Sequence, residues 1–156
     1  MTHSSSSRHG FDFNVGEWIV TNRRLKQRGV DCDEWEVFEG YERAQQVLGG
    51  LCNIDEIDFP TRGTKGMTIR LYRPEADEWS IWWVNSSDGV MQPPVHGKFE
   101  GTRGAFRGDD LDGDKPIKVV FDWQVDDPQR PQWSQAFSYD NGQTWETNWV
   151  MEFRRA

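Results

Sequence analysis

No apolar run in this chain approaches the ~18 residues of a membrane-spanning helix, so a bilayer is not expected as a partner. Cysteine is scarce: Cys32 and Cys52 are the two in 156 residues. They stand far apart and show no metal-ligand spacing such as Cys-x-x-Cys, so no metal site is expected. A chain of this length needs no disulfide framework, because a domain of about 150 residues buries roughly 70% of its unfolded surface. The two cysteines therefore read as free thiols of a reducing compartment, which points to the cytoplasm. Basic charge is also in deficit, with 18 Lys and Arg against 26 Asp and Glu and a net charge of −8. A duplex-binding domain needs the opposite balance on the face that meets phosphate, so nucleic acid is not expected either. The acidity serves solubility.

Histidine is limited to His3, His9 and His96. The first two flank four consecutive serines, and the stretch has no apolar segment of the kind a secretory signal carries. Residues 1–10 are expected to form a disordered tail, with one domain over 11–156. His96 is then the histidine of the folded body.

Aromatic residues are plentiful by contrast, with nine Trp, nine Phe and three Tyr. They sit in alternating segments of about ten residues separated by turn chemistry, the pattern of an all-β protein. Strands are expected near 16–28, 34–47, 51–59, 65–73, 78–85, 94–100, 103–109, 115–125, 131–139 and 144–154. Residues 41–48 also have helix propensity. Gly49-Gly50, Pro74, Asp88-Gly89, Gly101, Asp112-Gly113, Asp127-Pro128 and Asn141-Gly142 mark turns by supplying positive φ, a fixed φ or local side-chain bonds. Short connections favour antiparallel neighbours. About ten strands without a covering helix have two solutions, a sandwich or a sheet closed on itself. Closure removes exposed edges and can enclose one small ligand. The expected fold is a single antiparallel up-and-down β-barrel.

At the C-terminal end the faces can be read. Trp145, Thr147, Trp149, Met151 and Phe153 share one side of the last strand. Folding back about Asn141 sets Trp145 against Phe137, Thr147 against Gln135 and Trp149 against Trp133. A second fold at Asp127-Pro128 sets Trp123 against Trp133 and brings Ile117, Val119 and Phe121 to the same side. For 65–73 and 78–85, apolarity favours Met67, Ile69, Leu71, Ile81 and Trp83 inward. A shift of register would instead bring in Arg70, Tyr72 and Trp82.

Gly16-Glu17-Trp18 opens the first strand and Arg155 closes the last. The pairing resembles the calycin superfamily of lipocalins and fatty-acid-binding proteins. That resemblance implies a structural role: the arginine packs across the indole and plugs one end of the barrel, beneath Phe11 and Phe13. The order of Phe13-x-x-Gly16-Glu17-Trp18, Gly66-Met67-Thr68-Ile69-Arg70-Leu71-Tyr72, Gly97-Lys98-Phe99, Trp133-Ser134-Gln135-Ala136-Phe137-Ser138 and Thr144-Trp145-Glu146-Thr147-Asn148-Trp149 resembles an uncharacterised bacterial family of calycin-like domains. That likeness implies a fold and almost no chemistry.

Ser138-Tyr139-Asp140-Asn141-Gly142-Gln143-Thr144-Trp145 matches the Asp-box of sialidase propellers, but one copy in a short chain reads as a hairpin turn. Asp109-Asp110-Leu111-Asp112-Gly113-Asp114 lacks the terminal glutamate and the helices of a calcium loop and reads as a hairpin tip.

Inward polar residues are the best functional pointers, because a buried polar group must be bonded or serve a ligand. Gln135 and Thr147 are of this kind. Asn22 and Arg24 share parity with Trp18, and Glu39, Tyr41 and Arg43 share parity with Trp35 and Val37. The leading expectation is a barrel that binds a small apolar or aromatic molecule without a cofactor. Trp83, Trp133, Phe137 and Trp149 would supply walls, Gln135 an orienting hydrogen bond and Met91 part of a lid over 86–94. The entrance would be lined by turns near 29–33, 60–64, 86–94 and 110–114. The alternative is a barrel enzyme, a cyclase, isomerase or lyase, with Glu39 or His96 as acid/base and Arg24 or Arg70 as clamp. His96 reads more simply as a surface or mouth residue. A third class, an interaction domain or homodimer, would present aromatic surface around Trp82. The sequence names neither ligand nor reaction.

Overall fold

The computed structural model describes residues 6–156. Ten antiparallel strands follow one another around a closed barrel: β1 (Gly16–Leu25), β2 (Trp35–Val47), β3 (Cys52–Phe59), β4 (Thr64–Arg73), β5 (Glu78–Asn85), β6 (Val95–Glu100), β7 (Arg103–Asp112), β8 (Lys115–Gln124), β9 (Gln132–Ser138) and β10 (Glu146–Arg155). β1 pairs with both β2 and β10, so no strand is left as an edge. The segment 41–47, with its helix propensity, is strand: 41–44 pair with both β1 and β3, and 45–47 with β3. Only a short 3-10 turn follows it, at Leu48–Gly50.

Strand direction sorts the connections into two ends. One end is closed by residues 6–15, which run across it as two 3-10 turns, Ser7–His9 and Asp12–Asn14. Residues 6–10, placed in the tail by composition, are tied down here, while residues 1–5 lie outside the described residues. Ser7 is buried; its amide donates to Asp77 (2.7 Å), its hydroxyl accepts from the Phe99 amide (2.9 Å), and its carbonyl accepts from the Trp79 indole (2.7 Å). Serine can do this because its short side chain satisfies a buried backbone group that an apolar residue would leave orphaned. Phe11 then sits against Trp79, Phe99, Phe106 and Trp123.

The Arg155 guanidinium lies over Trp18, 3.7 Å from the ring centroid. It donates to the carbonyls of Val15 (2.8 Å) and Phe13 (3.0 Å), and the Trp18 indole donates to the Asn14 carbonyl (2.7 Å). Gly16, at φ 122°, makes the corner, and an added Cβ there would meet Arg155 Nη1 at 2.7 Å. The opposite end carries the connections 26–34, 60–63, 86–94, 113–114 and 139–145.

The inner faces differ from expectation in three strands. On β2 the inner row is Phe38, Gly40, Glu42 and Ala44, whereas Trp35, Val37, Glu39, Tyr41 and Arg43 point outward. On β4 the inner row is Gly66, Thr68, Arg70 and Tyr72, and Met67 and Leu71 are outside. β5 nevertheless keeps Ile81 and Trp83 inward, so the expected register of one strand fails while its neighbour's holds. On β10 a bulge between Thr147 and Trp149 inserts one residue. Thr147 and Trp145 are thereby exposed, Asn148 is buried, and Trp149 pairs with Gln135 rather than Trp133. Trp123 does stand opposite Trp133.

Candidate functional site

The barrel interior holds a central cavity of about 50 Å³. Its walls are the rings of Trp83, Trp123, Trp133, Trp149, Phe121 and Phe153, with Ile57, Ile81 and Met151 between them. The rings meet edge to face: Trp133 and Trp149 have centroids 5.7 Å apart at 84°, and Trp83 and Trp149 6.1 Å apart at 90°. Such pairs set the positive ring edge against the negative face of a neighbour. The Trp149 indole donates to Asn22 Oδ1 (3.0 Å), so the inward Asn22 is spent on holding that ring. Gln135 also reaches the cavity; its amide donates to Asn148 Oδ1 (2.8 Å).

A second space of about 50 Å³ lies beside the first. The two share Ile81, Trp83, Phe121 and Gln135, which stand between them, Trp83 being the largest of the four. Phe137, Val119, Gln92 and Pro93 line the second space. It exists because β6 is short: β5 pairs with it only over Trp79–Ile81, and beyond that the 86–94 segment fills in. There the Gln92 amide donates to the Trp83 carbonyl (2.9 Å), and Val84 bridges Met91. Met91 itself is exposed and lines neither space.

Trp83 can lie where it does because Gly66 faces it. A Cβ at Gly66 would fall 1.9 Å from Trp83 Cη2. Gly40 and Ala44 on β2 are the same kind of concession; a Cβ at Gly40 would meet the Ile57 side chain at 3.1 Å.

The floor of the cavity, next to the closed end, is polar. Glu42 and Arg70 are 5% and 4% exposed, and both line the cavity with Thr68. Arg70 Nη2 lies 2.7 Å from Asp55 Oδ2, and Nη1 donates to Asn53 Oδ1 (2.9 Å). Asn53 in turn donates to Asn14 (2.7 Å), and Asp55 accepts the Thr68 amide (3.1 Å). The guanidinium is also 5.0 Å from the Phe11 ring centroid and 5.9 Å from that of Trp123. Two carboxyl groups thus share one cation. Burial, followed by the neighbouring Asp55 charge, holds the Glu42 carboxyl well above the usual carboxylate range, with Arg70 opposing. Arg70 pairs with Asp55, and Glu42 is the carboxyl that burial pushes toward its protonated form. Among the described residues, Glu42 Oε2, Arg70 Nε and Asn148 Nδ2 have no hydrogen-bond partner, and Asp55 Oδ2 is held by its ion pair with Arg70 alone.

The residues named from sequence are distributed as follows. Trp83, Trp133, Gln135 and Trp149 meet around the central cavity, and Phe137 lines the adjoining space. Arg70 belongs to the floor. Arg24 is at the open end, on the inner face, with its guanidinium 4.8 Å from the Trp149 ring centroid. Glu39 is on the outside, bonded to Arg154 (3.3 Å) and Tyr41 (3.2 Å), so it is no cavity acid. His96 is on the outer face of β6, bonded to Ser80 Oγ (2.8 Å), and does not reach the interior. Glu42, Asp55 and Thr68 are the polar groups that sequence reasoning missed. Their signal was the Phe38-x-Gly40-x-Glu42-x-Ala44 alternation, in which small residues rather than large ones mark the crowded inner face.

The Asp-box sequence is a turn. Asp140 accepts from the Thr144 amide (2.8 Å), the Gln143 amide (3.1 Å) and the Ser138 hydroxyl (2.8 Å), and Gly142 takes φ 90°. Asp109 pairs with Lys118 at 2.6 Å across the β7–β8 hairpin. Among the described residues, no group of three or more His, Cys, Asp or Glu side chains is placed to hold a metal ion. Cys32 and Cys52 are free thiols, and among the described residues no helix is long and apolar enough to cross a membrane. No protein-family model and no curated protein matches the chain. Of the calycin resemblance, the ten-stranded antiparallel barrel is what the coordinates display.

Proposed function

We propose that this is a calycin-like barrel that binds one small apolar or aromatic molecule, with Trp83 as a movable partition. The observation that carries the reading is the wall of indoles around unfilled interior space, with polar groups converging from one side. Ligand sites are typically apolar clefts with a few placed polar groups, and usually occupy about 300–1,000 Å³. The two spaces here are about 50 Å³ each, well below that range. The ligand is therefore small, or it enters as Trp83 swings and joins the two spaces. Entry is from the side of Gln92 and Pro93, where β5 and β6 part. Inside, the ligand meets ring faces on the β8–β10 side. Gln135, Glu42, Thr68 and the unpartnered Nε of Arg70 are polar groups of the cavity lining that can bond it.

Intrinsic tryptophan fluorescence tests this with aromatics graded by size, such as phenol, indole and 2-naphthol. Saturable quenching that weakens in a Trp83→Phe variant is expected. Absence of saturable quenching with every member of the series would overturn the reading.

A second reading is favoured by one specific observation, the buried Glu42 carboxyl facing Arg70 across the cavity floor. A carboxylic acid whose proton affinity is raised by burial can act as general acid, with a cation nearby to stabilise developing negative charge. That arrangement supports an isomerase or lyase acting on the bound molecule, in place of the chemistry first assigned to Glu39 and His96. Loss of turnover in Glu42→Leu with binding retained would distinguish it from pure binding.

A further inference from the structure

The turns at the open end carry more acidic than basic residues, yet guanidiniums cluster at one place there. Arg24, Arg28 and Arg62 line one hollow of about 330 Å³ there. Each guanidinium lies over an aromatic ring of the barrel: Arg24 over Trp149 at 4.8 Å, Arg28 over Phe137 at 5.5 Å and Arg62 over Phe38 at 4.4 Å. Stacking fixes the planes and leaves the N–H edges free to bond outward. Two of the three are occupied. Arg62 grips Glu36 with two bonds, at 2.6 and 3.3 Å. Arg28 donates to Asp112 (3.1 Å), whose other oxygen accepts from the Tyr139 hydroxyl (2.6 Å).

Arg24 has no such partner. It forms no ion pair and no side-chain hydrogen bond among the described residues. It stands on the inner row of β1 after Trp18, Val20 and Asn22, so its position is built by the barrel and not by a wandering loop. Burial and the neighbouring Arg28 and Arg62 all disfavour its charge, and Glu36 only partly offsets them. The hollow therefore holds three guanidiniums against two carboxylates, with the unpaired one set directly on a ring that lines the ligand cavity.

We propose that Arg24 is an oxyanion-binding residue at the barrel mouth that takes the carboxylate of an aromatic or apolar acid, whose apolar part lies against Trp149. This rests on the ligand-binding reading above and adds the class of ligand. A carboxylate presents two oxygens to two N–H groups of a guanidinium, a charge-assisted fork that neutral ligands cannot match. Arg28 and Arg62 stay paired to their own carboxylates, which leaves Arg24 as the guanidinium of the hollow free to take an anion.

The test uses ¹⁵N-labelled protein and four probes: benzoate, benzyl alcohol, acetate and inorganic phosphate. Shifts of the Trp149 indole N–H and the Arg24 Nε–H are followed by NMR in the wild type, Arg24→Gln and Arg24→Lys. Benzoate is expected to bind about tenfold or more tighter than benzyl alcohol, the usual scale of a hydrogen bond to a charged group. That gap should close in Arg24→Gln and be partly kept in Arg24→Lys, whose charge remains. Benzoate should also exceed acetate, which lacks the ring. Equal binding of benzoate and benzyl alcohol by the wild type overturns the inference and leaves the cavity reading in place. A benzoate preference that survives in folded Arg24→Gln overturns it too. Benzoate and acetate binding alike through Arg24 upholds the anion site and overturns the aromatic cavity. Tighter binding of phosphate than of benzoate moves the ligand class away from carboxylates and overturns the proposal as stated. Absence of binding by all four overturns both.

Discussion

The floor of the barrel should make folding stability fall as pH rises, and one substitution should abolish that slope. Glu42 is packed on β2 where Asp55 of β3 and Arg70 of β4 face it, and it is 5% exposed. In the unfolded chain a glutamate titrates near about 4.3. In the fold, burial and the Asp55 charge keep it protonated to a much higher pH, and Arg70 recovers only part of that. Between those two values the native state binds one more proton than the unfolded state. Stability from this group is fully present below the unfolded value and is lost as pH rises, until Glu42 itself ionises in the fold. The loss is about 1.4 kcal/mol for each pH unit within that window.

Glu42→Gln keeps the shape and the neutral state but has no proton to lose. Urea unfolding of both proteins at pH 5, 6 and 7 measures the difference. The stability of Glu42→Gln relative to wild type should climb with pH above the unfolded value, at up to about 1.4 kcal/mol per unit until Glu42 ionises in the fold, with equal m-values. Arg70 remains paired to Asp55 in both proteins and cancels. Parallel stability curves for the two proteins over this range would show that Glu42 is ionised in the fold, and the account of the floor would be refuted.

Three other outcomes follow from particular contacts. Trp18→Ala should cost about 3–4 kcal/mol in denaturant unfolding, because it empties a fully buried ring site, and Arg155→Ala about 2 kcal/mol through its stacking and its two carbonyl bonds; neither should change the affinity of a ligand bound on the Trp149 side. Gly66→Ala places a methyl 1.9 Å from Trp83 Cη2, so the indole must turn; a loss of about 1–3 kcal/mol and a shifted tryptophan emission are expected, and an unchanged spectrum would count against the packing described. Asp140, held down to about 2 by its bonds to Thr144, Ser138 and Gln143, should titrate near that value by carboxyl ¹³C NMR; its contribution to the turn is present above the ordinary aspartate value and is lost as pH falls through about 2.

The strands were legible because alternation and turn residues agree along most of the chain. Where large aromatics fill the inner row, as on β8 and β9, even the partner of Trp123 could be read as Trp133. Reading failed where the barrel turns the usual pattern over. β2 and β4 carry Val37, Tyr41, Met67 and Leu71 on the outside and Glu42, Thr68 and Arg70 on the inside. Hydrophobic parity then selects the wrong face, because the buried polar groups are held by each other and the inner row must be small to admit Ile57 and Trp83. The bulge in β10 had no mark at all: Thr147 and Asn148 are both plausible on either face. The packed Ser7 was hidden for a different reason, since a serine tract signals disorder by composition and only the orphaned amide of Phe99 gives it a place.

The same asymmetry explains why space survives in a barrel so rich in indole. The inner faces of β8, β9 and β10 are large and flat, with Trp123, Trp133, Trp149 and Phe153. Those of β2, β3 and β4 are mixed, with Gly40, Ala44, Glu42, Asp55, Gly66, Thr68 and Arg70 among Phe38, Ile57, Phe59 and Tyr72. Indole rings from one half could fill the gap only by covering Glu42 Oε2 and Arg70 Nε, which have no bond of their own. Burying such groups without partners costs more than the dispersion gained by closing a void. The cavity therefore sits at the seam between the two halves. A molecule placed there touches ring faces on one side and a buried acid beside a paired cation on the other. Filling that seam with a purely apolar side chain, as in Thr68→Leu, would relieve the conflict from the wrong side, because it covers Glu42 Oε2 without bonding it.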